Sequence, residues 1–337
     1  MSSGHEQGPP SAMRKIKVLY IAGTIRSGTT LLAQLFGELP GFVNIAEGSY
    51  FLYRDRKAPT LPCSCGKPSA DCDVWRDIVT QIPPEACFLG SHLIRTRYFP
   101  RLWWQLRIRN RLASLRPLTS EITRTFATLL SRAGGTVIVD CSKNVSTGYL
   151  LCQIPELEVH VVHLVRHSHG IVDSWCRPDR YYHPRSFVSG LAFWSVDNTL
   201  CQLLRSRASS YSLLLYEDFV QSPRENLERI ASAVTRRPIA ADFFSVPSAR
   251  VGLQHWLAGN PRAQLNTDLL VQEPETHIPW PAKVAASLIT FPLLWEFGYF
   301  GRKKASSGLT EIVPPSQPVA AALPAEEHRP RRSAAAG

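Results

Sequence analysis

The sequence predicts an α/β fold in which a doubly wound parallel sheet is flanked by helices. Three observations carry that prediction. Apolar runs at 17–22, 136–140, 159–165 and 211–216 lack the polar alternation of a one-sided strand, as expected of strands buried on both faces. Helix-compatible stretches separate these runs over most of the chain, as parallel crossovers require. The first run leads through a glycine-containing loop, Gly23 to Gly28, into a helix opened by Thr29 and Thr30.

That loop is the most informative stretch. Backbone N–H groups at a helix N-terminus, aided by the helix dipole, form an anion site, most often for phosphate. The residues almost spell the nucleotide-binding P-loop, so the sheet is expected to be of P-loop type, but Thr29 stands where that motif has lysine. The cation of the loop is Arg26.

Further along, Pro40-Gly41 predicts a turn and 42–46 a second strand, with Glu47 just beyond its end. A carboxylate outside the carboxyl end of a strand, beside an anion loop, is a candidate general base; a solvated turn glutamate is the plain alternative. Residues 55–92 are irregular and carry Cys63, Cys65 and Cys72. Zinc wants four ligands, or three and a water, and Cys87 or His92 are the nearby candidates for a fourth. Neither lies at a recognisable spacing, so the default is reduced packing thiols with no metal assigned. Residues 93–116 interleave arginines with Trp103 and Trp104. Packing with snorkelling arginines is the ordinary reading, and peripheral membrane contact through 95–116 stays open.

A helix is expected over 118–132, ended by Gly134-Gly135. The strand at 136–140 is followed by Lys143, placed either to meet developing negative charge or to cap the surface. The strand at 159–165 runs into Arg166, with Ser174 eight residues later on the next helix. Both could grip one anion. Helices are expected over 186–207, with Trp194 in the core, from Pro223 to about 235, and over 282–298. Between the last two lies an aperiodic loop, 255–262, containing Arg262.

Composition bounds the rest. With 44% hydrophobic residues and a net charge of +11, the chain is expected to bury a large core and to favour anionic partners. Residues 1–13 and 305–337 read as structureless tails around one domain, 14–304. No signal peptide is recognisable, no run approaches the roughly 18 apolar residues of a membrane span, and eight scattered cysteines fit a reducing compartment. A cytoplasmic location is expected.

Together these pieces resemble the sulfotransferases that use 3′-phosphoadenosine 5′-phosphosulfate (PAPS), across roughly 16–300. Arg26-Ser27-Gly28-Thr29-Thr30 is similar to that family's 5′-phosphosulfate loop, and Arg166 with Ser174 to its 3′-phosphate pair. Tyr216-Glu217-Asp218 is similar to a segment whose tyrosine lies near adenine, and Gly259-Asn260-Pro261-Arg262 to a late loop of bacterial members. The cysteine segment, with Trp75, also recurs in bacterial members. One departure is His167-Ser168-His169, where many members read Asp-Pro-Arg after the arginine. Arg26 with Glu47 looks most like the tyrosylprotein and bacterial branches.

The resemblance implies sulfuryl transfer from PAPS to a hydroxyl of a sugar, phenol or lipid, with Glu47 as base, no metal required and no nucleic-acid partner. It implies that Arg26 and Lys143 stabilise charge and that Ser27 to Thr30 cradle the 5′-phosphate. Arg166, Ser174 and Arg262 would hold the 3′-phosphate, and Tyr216 the adenine. Two alternatives remain: a P-loop kinase or NTPase, with Asp140 as metal ligand, and a non-catalytic basic binding module with a vestigial pocket.

Overall fold

The apolar runs form the strands of one sheet. A computed structural model describes residues 15–53, 60–177, 186–245, 248–257, 268–272, 274–300 and 309–313. Its strands are β1 (Ile16–Ala22), β2 (Phe42–Ala46), β3 (Val137–Lys143), β4 (Leu157–Val165), β5 (Ser210–Leu215), β6 (Phe244–Ser245), β7 (Ser248–Arg250), β8 (Asp268–Leu270) and β9 (Leu309–Val313). The main sheet has the order β2-β3-β1-β4-β5-β9. Its first five strands are parallel, and β9 pairs antiparallel with β5. β6, β7 and β8 make a small antiparallel sheet.

The helices are α1 (Thr29–Gly37), α2 (Tyr50–Tyr53), α3 (Arg76–Thr80), α4 (Pro84–Leu93), α5 (Phe99–Arg107), α6 (Arg116–Ala133) and α7 (Val145–Leu151). They continue with α8 (Ser168–Cys176), α9 (Phe187–Gln202), α10 (Tyr216–Gln221), α11 (Pro223–Thr235), α12 (Trp280–Ile289) and α13 (Phe291–Glu296). Alternate strand residues point to opposite faces, and each face has its own core. Val18 and Tyr20 of β1 pack with Leu118, Ile122, Phe126 and Leu129, a helical stripe of α6. Leu19 and Ile21 pack on the other side with Leu32 and Phe36 of α1 and with Leu227, Ile230 and Val234 of α11. A third cluster joins Val165 and Leu215 at the strand ends to Trp194 of α9 and Leu294 of α13. The doubly wound α/β architecture expected from the sequence is therefore present.

Differences in detail have local causes. The helix expected over 282–298 is two helices, α12 and α13, because Pro292 falls in the first turn of the second and cannot continue the first. The arginine- and tryptophan-rich stretch 93–116 is also broken, with Pro100 and Pro117 in the opening turns of α5 and α6. In it, the Arg109 guanidinium lies over the half-exposed Trp104 ring at 4.0 Å. Within 305–337, expected to be structureless, Leu309–Val313 lies as an edge strand on β5.

Candidate functional site

In an open α/β sheet, ligands gather where neighbouring strands send the chain to opposite sides, at their carboxyl ends. Here that point lies beside β1, which pairs with β3 on one side and β4 on the other. The loop after β1, Glu47 after β2, Lys143 ending β3 and Arg166 after β4 all emerge along this edge.

The β1–α1 loop is tightly wound. Ser27 N–H donates to Thr24 O at 3.1 Å, and Leu32 N–H donates to Gly28 O at 3.0 Å as the helix begins. Arg26 has φ of 76°, a left-handed conformation uncommon for a residue with a Cβ. Gly28, at φ 96°, is required twice over: a Cβ there would also meet the Tyr216 ring at 2.6 Å. The Thr24 and Ser27 hydroxyls are buried and find no hydrogen-bond partner among the described residues. Leaving such groups unsatisfied costs roughly 1–3 kcal/mol each. A phosphate-bearing ligand over this loop fits that donor set.

Beside the loop, three elements converge. Arg26 Nε donates to Ser174 Oγ on α8 at 2.8 Å. Arg166 Nη1 donates to the Arg26 carbonyl at 3.4 Å, and its guanidinium lies over the Tyr216 ring at 5.0 Å. Gly170 makes room for that guanidinium, since a Cβ would stand 2.9 Å from Arg166 Nε. The turn carrying Arg166 is held from behind. Trp194 Nε1 donates to Arg166 O at 2.8 Å, and His167 N–H donates to Glu217 Oε1 at 2.9 Å. Tyr299 O–H donates to Glu217 Oε2 at 2.7 Å. Burial raises the Glu217 carboxyl above its usual range, and these donors oppose the rise.

At the ends of β2 and β3, Lys143 Nζ forms an ion pair with Glu47 Oε1, both side chains being largely buried. Ala46 and Lys143 take left-handed φ values of 48° and 65°, turning the chain sharply at both strand ends. Asp140 lies deeper, with Oδ1 accepting the Ser142 N–H at 2.7 Å. Complete burial pushes its carboxyl up to about 7, with the Glu47 charge adding to the rise and the Ser142 hydrogen bonds opposing it.

The structure thus gathers Arg26, Ser27, Gly28, Thr29 and Thr30 with Arg166, Ser174 and Tyr216, and pairs Glu47 with Lys143 on the same sheet edge. Arg262 and its loop from residue 258 onward lie outside the described residues. Sequence reasoning placed Trp194 in the core, and its buried ring is there, but its indole N–H also anchors Arg166. It missed Glu217 and Gly170 as supports of that arginine. A glycine one helical turn beyond Arg166 was the available signal for Gly170; no local signal announces a carboxylate that caps a distant turn.

No protein-family model matches this chain, and neither does any curated protein sequence. Solved structures similar to it include two sulfotransferase domains. One is a sulfotransferase domain from the curacin biosynthetic pathway, 15% identical, with a TM-score of 0.46, covering 83% of this chain and 98% of that one. The other is a sulfotransferase domain from the Synechococcus PCC 7002 olefin synthase, 17% identical, with a TM-score of 0.38, covering 68% of this chain and 77% of that one. At these values the likeness is weak, and the functional reading below rests on the geometry of the site.

Proposed function

We propose that this protein is a sulfotransferase that moves a sulfuryl group from PAPS to an acceptor hydroxyl. The observation that carries the reading is the double anchor: a phosphate cradle whose arginine, Arg26, is tied to Ser174 and adjoins a second arginine, Arg166, packed over Tyr216. One anionic group at the loop and a second at Arg166 suit a nucleotide phosphorylated at both its 5′ and 3′ positions. Ser27 to Thr30 would hold the 5′ group, Arg166 and Ser174 the 3′-phosphate, and Tyr216 the adenine. Arg262 belongs to the same proposal as a further 3′-phosphate contact.

In the reaction the acceptor oxygen bonds to sulfur as the bond from sulfur to the bridging oxygen breaks, and the hydroxyl proton passes to Glu47. Lys143 aims that carboxylate through their ion pair, and with Arg26 and the loop amides it meets the charge left on the departing 5′-phosphate. Protein donors suffice for this charge, so the transfer step itself needs no metal.

A kinase or NTPase fits less well. Thr29 occupies the position where such a nucleotide-binding loop has its lysine. Thermal denaturation with adenosine 3′,5′-bisphosphate, compared with ATP and Mg²⁺, separates the readings. Stabilisation by the bisphosphate alone is expected; stabilisation by ATP and Mg²⁺ alone would overturn the proposal. For the base, Glu47→Gln should lower turnover on a panel of phenols, sugars and lipid alcohols by at least about 10²-fold, while bisphosphate binding changes little. A variant with near-full activity removes Glu47 from that role, and an intact pocket without turnover in the parent protein favours a binding module.

A further inference from the structure

Away from the double anchor, three thiols and an imidazole converge from opposite ends of the sequence. One ligand atom each from Cys63, Cys65, Cys72 and His255 lie within 4.8 Å of one another. Cys72 Sγ is 3.6 Å from Cys63 Sγ and 3.3 Å from His255 Nδ1, and Cys63 Sγ is 4.0 Å from the same nitrogen. Tetrahedral zinc, with Zn–S of about 2.3 Å and Zn–N of about 2.0–2.1 Å, separates its ligands by about 3.8 Å for S···S and about 3.6 Å for S···N. The observed separations fall around those edges. A disulfide would need sulfurs about 2.05 Å apart, and all of these cysteines are free.

We propose that Cys63, Cys65, Cys72 and His255 bind one zinc ion in a closed, structural Cys₃His site. The fourth ligand is neither Cys87 nor His92, the candidates nearest in sequence; it comes from the loop preceding the 258–267 segment. Hydrogen bonds that do not involve the four donor atoms shape the scaffold around them. Gly66 N–H donates to Cys63 O at 2.9 Å, forming the turn that brings Cys65 back beside Cys63. Trp75 Nε1 donates to the His255 carbonyl at 2.9 Å. Ser64 N–H donates to Trp256 O at 3.0 Å, and Trp256 N–H donates to Ser64 Oγ at 3.1 Å. Four protein donors close the tetrahedron and leave no position for a water, so the ion serves as a brace and not as a Lewis acid. Binding releases the thiol protons, because thiolates are the ligands. The brace reaches the reactive edge: Leu257 bridges to Cys63 on one side and to Ala46, the neighbour of Glu47, on the other.

The proposal stands whether or not the protein transfers sulfate. Its test is metal analysis of the full chain, purified under reducing conditions without chelator, together with the spectrum of its cobalt(II)-substituted form. We expect one equivalent of zinc, and thiolate-to-cobalt charge-transfer bands with intense tetrahedral d–d bands. His255→Cys should keep one equivalent and shift the cobalt spectrum toward a four-thiolate site. Cys72→Ser should lose the tight site, and a chelator should lower the melting temperature of the parent protein but not of Cys72→Ser. Folded parent protein that takes up neither metal stoichiometrically would overturn the proposal. So would a cobalt spectrum unchanged by His255→Cys, or a Cys63–Cys72 disulfide in protein kept reduced.

Discussion

Gly170 separates packing from recognition at a single position. Gly170 lies in the first turn of α8, where alanine is also a better helix former than glycine. The alanine Cβ, however, would stand 2.9 Å from Arg166 Nε and push the guanidinium from its place over Tyr216. Gly170→Ala should therefore melt at the same or a higher temperature while binding adenosine 3′,5′-bisphosphate roughly tenfold more weakly, the equivalent of about 1.4 kcal/mol. Calorimetric titration beside thermal denaturation checks both halves, and unchanged affinity would show that the arginine does not touch the ligand. Residues such as Arg26, Glu47, Lys143 and Arg166 were legible in the sequence because each lies within a few residues of the end of a run that reads as a buried strand. His255 was not. Its thiol partner Cys72 is 183 positions away, and the loop that holds it has no period to fix its direction. Trp194 was half legible: its burial followed from the helical stripe, but its hydrogen bond to a backbone carbonyl left no mark in the pattern.

At the scale of elements, β4 is buried on both faces yet carries His160 and His163 among its aliphatic residues. His163 is held as a neutral imidazole between two elements. Its Nε2–H donates to Asn198 Oδ1 on α9 at 2.9 Å, and Tyr211 O–H of β5 donates to Nδ1 at 2.6 Å. Protonating Nδ1 would set it against the Tyr211 hydroxyl donor in a fully buried site, and burial pulls this histidine down to about 4. In the unfolded chain it returns to about 6.5, so between those values the unfolded state binds the extra proton. Stability is thus full above about pH 6.5 and falls as pH drops toward 4; from pH 7 to pH 5 this residue removes about 2 kcal/mol. Urea denaturation at the two pH values should show that loss, and His163→Gln should reduce it by a similar amount. An identical loss in the variant would assign the acid sensitivity elsewhere, to His160 or His167, which burial lowers in the same direction. The strands were legible as elements because two-sided burial writes itself as unbroken apolar residues. The last helix was misread as one because Pro292, a visible breaker, was passed over.

At the scale of the molecule, one sheet divides two cores, and the described groups proposed for the reaction stand at or beside its carboxyl edge. The turn after β4 shows what that arrangement does to the thermodynamics of recognition. Trp194 of α9, Glu217 of α10 and Tyr299 from the turn after α13 hold its backbone, so the base of the Arg166 side chain is set before any ligand arrives. Part of the conformational entropy of placing that cation is lost during folding, and less remains to be lost on association. Amide hydrogen exchange reads this directly. The His167 N–H, held by the partly buried Glu217 carboxyl, should exchange slowly in the ligand-free protein, and adenosine 3′,5′-bisphosphate should slow it little further. Fast exchange that becomes slow only with ligand would mean that the turn is ordered by what it binds.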